Sequence, residues 1–196
     1  MPLLVGLLGG ECTGKSTLAA ALAARIGAEV VPEAVRAFVQ QHGRSPHRDE
    51  QADVLARQSD AVARAVAAAA RDAVVVVDPA PLMTAVYSVL YFEDDSLVAE
   101  GVDDALAYDV LAWCAPDVPW QADPGVRDGP HYRAAADRIL SGIVTTTLGP
   151  RGAHVVRVTG DLDVRVATVR DAVAAGRDRA GVAPPGPSGR NLDSHG

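Results

Sequence analysis

Residues Gly9-Gly10-Glu11-Cys12-Thr13-Gly14-Lys15-Ser16 fit the pattern G-x-x-x-x-G-K-[ST], and they stand between two segments of different character. Leu3 to Leu8 is a short apolar run that reads as a buried strand, and Leu18 to Ile26 is Ala-rich and reads as a helix. A strand that turns into a helix through such a loop is built to hold phosphate. Its glycines let backbone N–H groups curl around phosphate oxygens, and the helix N-terminus adds partial positive charge. By average residue usage, a chance match in a chain of this length has a probability of roughly 1 in 100. The loop therefore assigns Gly9, Gly10, Glu11, Cys12, Thr13, Gly14, Lys15, Ser16 and Thr17 to a bound nucleotide, expected to be ATP, with the Ser16 hydroxyl on Mg2+.

Composition sharpens the position of Lys15. The 196-residue chain carries 18 Lys and Arg, of which Lys15 is the single lysine and the other 17 are arginines. Wherever a positive charge is enough, this sequence uses Arg. A slender ammonium can pass between the β and γ phosphates where a broad planar guanidinium does not fit as a point charge. Lys15 is thus expected to act on the transferring phosphoryl group.

Along the rest of the chain, strand and helix patterns alternate. Ala28 to Val31 reads as a strand, Glu33 to Gln41 as a helix, and Asp49 to Arg71 as a long amphipathic helix. The continuous Val-rich run Ala73 to Val77 is typical of a central parallel strand. A helix over Pro81 to Phe92, an acidic and partly helical connection over 93–104, and a strand over Asp109 to Cys114 follow. Then come a Pro/Gly-rich stretch from Ala115 to Pro130, a helix from Tyr132 to Thr147, a strand over His154 to Val158 and a helix over Leu162 to Ala175. The expected fold is α/β: a P-loop NTPase with a parallel sheet flanked by helices, of the nucleoside and nucleotide kinase type, with an Arg-bearing lid. Residues 1–178 form the expected kinase domain, and 179–196, with Pro184, Pro185 and Pro187 and no apolar pattern, read as a disordered tail.

In a parallel sheet the residues just past the strand ends converge near the phosphate loop. They are Glu33, Asp78 and Asp117. Asp78 is a candidate to hold Mg2+ through water, or else it caps the following helix. Glu33 is a candidate proton acceptor or hydroxyl ligand, or else the ion-pair partner of Arg36 three residues on. Arg127, Arg133 and Arg138 flank glycines at 125 and 129, as a lid that closes over ATP would need. Trp120, in a polar loop, either stacks on a substrate ring or packs the hinge. Cys12 reads as a passive spacer.

Taken together these residues resemble the ribosylnicotinamide kinase domain of NadR-type proteins, a P-loop, nucleoside-kinase-like member of the AAA-type ATP-binding proteins. The resemblance rests on GGECTGKSTL at 9–18, VPEAVR at 31–36, LARQ at 55–58, Asp78 with Thr84, YSVLYF at 87–92, DVPW at 117–120, Gly125 to Arg127, Arg133 and GDLDVR at 160–165. It implies transfer of the ATP γ-phosphate to the 5'-hydroxyl of nicotinamide riboside or a related nucleoside. By that likeness Glu33 and Arg36 meet the acceptor sugar or take part in proton removal, Trp120 lies near the base, and the adenine pocket falls near Gly160 to Arg165. Two departures stand out: the family's D-T-D after the third strand is Asp78-Pro79-Ala80 here, and its D-G-x-R lid signature is Asp123-Pro124-Gly125-Val126-Arg127. The adenylyltransferase half of the bifunctional proteins is expected to be absent.

Other classes fit less well. A net charge of -7 argues against a nucleic-acid-coating surface. The guanine-reading N-K-x-D motif of GTPases needs a second lysine, and there is none. Two cysteines without C-x-x-C spacing suit a reducing cytoplasm, and the opening apolar run is too short to span a bilayer. The expected partner is therefore a small nucleoside, with no nucleic acid and no membrane. The principal alternative is an ATP-binding regulatory module or slow ATPase without kinase activity.

Overall fold

The computed structural model describes residues 1–120 and 129–181. Five strands form one parallel sheet in the order β2-β3-β1-β4-β5. They are β1 (Leu3–Leu8), β2 (Glu29–Pro32), β3 (Val74–Asp78), β4 (Val110–Cys114) and β5 (Val155–Val158). The register runs Leu3↔Val74 and Val5↔Val110 around β1, with Pro32↔Asp78 and Cys114↔Val158 closing the outer pairs. All five residues of β3 are buried, as a Val-rich strand covered on both faces requires.

Helices cover the two faces unequally. Alternate residues of β3 divide between two cores: Val74 and Val76 pack with Leu18, Leu22, Val166, Val169 and Val173 under α1 (Lys15–Ile26) and α7 (Leu162–Gly181). Val75 and Val77 pack on the other face, against α3 (Gln51–Ala68), α4 (Leu82–Phe92), α5 (Val98–Ala105) and α6 (Pro130–Ile143). The helix after β1 and those after β3 thus lie on opposite faces, which opens a crevice above the carboxyl ends of these neighbouring strands. The short helix α2 (Ala34–His42) follows β2 at the rim of that crevice.

The sequence-derived elements recur with small shifts at their ends. α1 begins at Lys15 rather than Leu18, because Gly14, left-handed at φ 81°, turns the loop directly into the helix. α6 starts two residues early, at Pro130, and passes at Val144–Leu148 into a π-helical turn. α7 runs through Gly181, beyond both Ala175 and the expected domain boundary at 178. Residues 182–196, most of the expected tail, lie outside the described residues.

One glycine inside β1 is fixed by packing. A Cβ on Gly6 would stand 2.7 Å from the Tyr108 ring and 3.0 Å from the Ala80 methyl, both in the core. Gly6→Ala should therefore cost about 1–3 kcal/mol of stability through overpacking, read as a fall in the urea midpoint at unchanged slope.

Candidate active site

The loop after β1 is held mainly through its carbonyl groups. Arg133, on the first turn of α6, donates from Nη1 to the Cys12 carbonyl (3.2 Å) and to that of Val118 (2.9 Å). Arg165, on the first turn of α7, donates from Nη1 to the Thr13 carbonyl (2.8 Å). The C=O and N–H of a trans peptide point in opposite directions, so the amides of Thr13 and Gly14 are turned away from these two arginines. The loop also braces itself, with Thr13 Oγ1 donating to the Gly10 carbonyl at 2.8 Å. Lys15 Nζ bridges the carbonyls of Gly9 (2.7 Å) and Gly10 (2.8 Å), which sets the lone ammonium across the start of the loop.

Two of the loop glycines are closely packed. Gly9 has φ 135°, and a Cβ there would meet the Cys114 carbonyl at 2.8 Å. At Gly10 a Cβ would press on the Arg133 backbone and the Ala136 methyl at 3.2–3.3 Å, so α6 packs straight onto the loop. Beneath it Cys114 is buried, and burial pushes its thiol up to about 11, leaving it an inert core group.

Arg165 is only 2% exposed and ties four segments together. Besides Thr13, it donates from Nε to the Gly160 carbonyl (2.8 Å), from Nη2 to the Ala115 carbonyl (3.3 Å), and from Nη2 to Asp117 Oδ1 in a short ion pair. Asp117 Oδ2 accepts from the Gly160 amide at 2.7 Å. Both residues, expected at the nucleotide and the substrate, thus bond to protein groups: each nitrogen of the guanidinium donates, and each oxygen of the carboxylate accepts. They lock the ends of β4 and β5 to the phosphate loop.

Facing the loop from the β2 side stand Glu33 and Arg36. Arg36 Nε pairs with Glu33 Oε2 at 3.3 Å, and Nη2 donates to Ser16 Oγ at 3.2 Å, so one guanidinium links the carboxylate to the loop serine. Ser16 and Thr17 are exposed at the start of α1. Asp78 ends β3 opposite Pro32 and is 8% exposed. It is not the cap of α4, whose N-cap is Pro81 without a side-chain bond. Ala80, at the position of the family's second carboxylate, is fully buried. Trp120 lies 5.4 Å from the Arg133 guanidinium, at the base of the expected lid. Arg127 lies outside the described residues.

Three residues of the quoted family motifs, to which the sequence assigns no role, line the cleft beside Glu33: Gln58, Thr84 and Tyr87. Burial raises the Tyr87 phenol well above its ordinary value, and the charges of Glu11, Glu33 and Asp78 push the same way. The phenol is therefore a neutral group among three carboxylates. Gln58 could have been found from its place on the buried stripe of α3 with Val54, Leu55 and Val62, where an amide must find partners.

The donor set suits a hard cation that keeps phosphate and water ligands, because Ser16 and Asp78 supply oxygen. Among the described residues no cluster of three or more His, Cys, Asp or Glu could hold a metal by itself. Nor is any helix among them long and apolar enough to cross a membrane.

A parallel sheet whose first strand turns through this loop into a helix, with carboxylates at the neighbouring strand ends, defines a P-loop fold of the nucleoside and nucleotide kinase type. The chain belongs to the family described as "AAA domain", which matches residues 4–165. Among solved structures it is similar to NadR protein in complex with NAD and AMP-PNP (TM-score 0.69, 22% identity, 93% of this chain and 51% of that one). NadR protein in complex with NR gives TM-score 0.65 and 23% identity, over 93% of this chain and 52% of that one. Deoxyadenosine kinase from M. mycoides, with dCMP and dCDP bound, gives TM-score 0.63 and 12% identity over 88% of this chain and all of that one. The chain spans about half the length of the NadR structures, and at these identities the likeness is one of fold. No curated protein is matched in sequence.

Desolvation on burial would raise the Asp117 carboxyl, but the Gly160 amide and the Arg165 charge outweigh it and hold the carboxyl below its ordinary value. Such a group stabilises the fold above its unfolded pKa and loses that contribution as pH falls through the lower folded value. Asp117→Asn should cost about 1–3 kcal/mol at neutral pH, less than a fully buried pair because the carboxylate is partly solvated. In denaturant titrations the gap to wild type should be constant above about pH 5 and close as pH falls below about 4.

Proposed function

We propose that the chain is an ATP-dependent small-molecule kinase that phosphorylates the 5'-hydroxyl of nicotinamide riboside or a related nucleoside. The observation that carries this reading is the link Glu33–Arg36–Ser16, which joins a carboxylate to the phosphate loop across the crevice. A phosphate loop alone serves binding or hydrolysis. A carboxylate held beside it adds a base for the proton of an acceptor hydroxyl.

In this mechanism the loop amides and the α1 N-terminus bind the ATP phosphates, and Lys15 moves from the Gly9 and Gly10 carbonyls onto the transferring phosphoryl group. Ser16, with Arg36 turned from its hydroxyl to the acceptor, and Asp78 would hold Mg2+, which when bound would neutralise phosphate charge. Glu33 accepts the proton of the attacking hydroxyl, and Arg36 orients Glu33 and the acceptor sugar. Arg127 serves from the expected lid and Arg133 from the first turn of α6, and Trp120 offers a face to the acceptor's base. Arg165 and Asp117 act on the nucleotide at one remove, by fixing the loop and the strand ends beside it.

Coupled ADP release, measured with ATP, Mg2+ and a panel of nucleosides that includes nicotinamide riboside, should rise above the acceptor-free background for at least one nucleoside. No rise for any acceptor would leave an ATP-binding module instead. In the same assay Glu33→Gln should lower turnover by roughly 10^2 to 10^4, and an unchanged rate would return Glu33 to a simple ion-pair role.

A further inference from the structure

The sheet loses its main-chain bonds where the site needs them. β2 and β3 pair from Glu29↔Val75 to Pro32↔Asp78, and the next residue of β3's path is Pro79. Neither Pro32 nor Pro79 has an N–H to carry the ladder further. Glu33, the next residue on β2's side, is the N-cap of α2 and makes no side-chain cap bond, so the first amides of that helix also need an acceptor.

One side chain bridges this gap. Gln58 is 3% exposed on the buried face of α3. Its Nε2 donates to the carbonyls of Pro32 and Pro79, both at 3.3 Å, and its Oε1 accepts from the Ala34 amide at 2.6 Å. These partners also fix the amide's orientation, since only Nε2 can face two carbonyls and only Oε1 can face an N–H.

We propose that Gln58 is a positioning residue: its carboxamide bridges the two strand ends where the prolines offer no N–H, joining the Pro32 and Pro79 carbonyls to the Ala34 amide, and so fixes Glu33 at the edge of the site beside the end of β3. It touches no reacting atom. Its effect passes through the backbone on either side of Glu33, Pro32 and Ala34, and the inference rests on Glu33 as the proton acceptor. A carboxylate displaced by a fraction of an ångström loses much of its value as a base, whereas the phosphate loop, anchored by Arg133 and Arg165, is untouched.

Gln58→Met keeps the length and removes all three hydrogen bonds. It should lower kcat/KM for the acceptor about 10- to 100-fold while equilibrium binding of Mg-ATP stays within about twofold. In a Glu33→Gln background the same substitution should cost little more, because the group it positions is gone. By hydrogen exchange the Ala34 amide should open about 5- to 10-fold faster, as for one lost hydrogen bond, with the amides of residues 9–16 unchanged. Gln58→Glu is the second variant: it keeps the acceptor oxygen, loses both donors, and should recover partly as pH falls and a protonated carboxyl regains one donor. A full additional loss in the Glu33→Gln background, or nucleotide binding weakened as much as acceptor turnover, would overturn the positioning role. Unchanged exchange at Ala34 would overturn the clamp whether or not the enzyme turns over. A wild type inactive on every acceptor, with Ala34 still opening faster in Gln58→Met, would instead sink the kinase reading and with it the catalytic purpose of the clamp.

Discussion

The buried guanidinium of Arg165 is the constraint on which the rest of the site depends. A phosphate-binding loop must hold its amides in a ring whose partial charges repel one another, and a glycine-rich turn cannot enforce that by itself. Arg165 supplies the restraint from outside, joining the Thr13 carbonyl to Ala115, Gly160 and Asp117. Removing its charge from water is costly, and that cost is offset only because Asp117 and three carbonyls face it. Arg133 repeats the device at the next peptide, from the opposite face of the sheet.

The two kinds of cation in this chain divide the work by shape. Arg165 and Arg133 use a rigid fork to reach several carbonyls at once, which suits a fixed scaffold. Lys15 is a compact charge on a flexible stem, bonded to two loop carbonyls that it can leave for a phosphate oxygen. In the proposed mechanism the lone lysine lies at the one place where the group must move and must be small. The carboxylates are similarly divided: Asp117 pairs with Arg165 and the Gly160 amide, whereas Glu33 and Asp78 stand at the neighbouring ends of β2 and β3.

Much of this was legible in the sequence, for definite reasons. The phosphate loop is a local pattern, and the strand runs are local hydrophobic patterns, so Leu3–Leu8 and the Val-rich β3 are found to within a residue. Family resemblance carried the fold further, and Glu33 does stand across from the loop. The contacts of Arg165 and Asp117 were not legible, because one spans 48 residues and another 152. No local spacing encodes either. Gln58 was visible as part of a four-residue match, but its meaning depends on two prolines 26 and 21 residues away. The length of α7 was missed because its last turns lack an apolar stripe, so the helix continues where periodicity falls silent.

The central claim is that Lys15 stabilises phosphoryl transfer to a nucleoside hydroxyl. It is tested most directly by following ATP, Mg2+ and nicotinamide riboside with 31P NMR, on wild type and on Lys15→Arg. The wild type should convert ATP into ADP and a new phosphomonoester in equal amounts, and Lys15→Arg, with its charge intact, should form none. ATP loss matched by inorganic phosphate alone, or a phosphomonoester formed by Lys15→Arg at the wild-type rate, would contradict it.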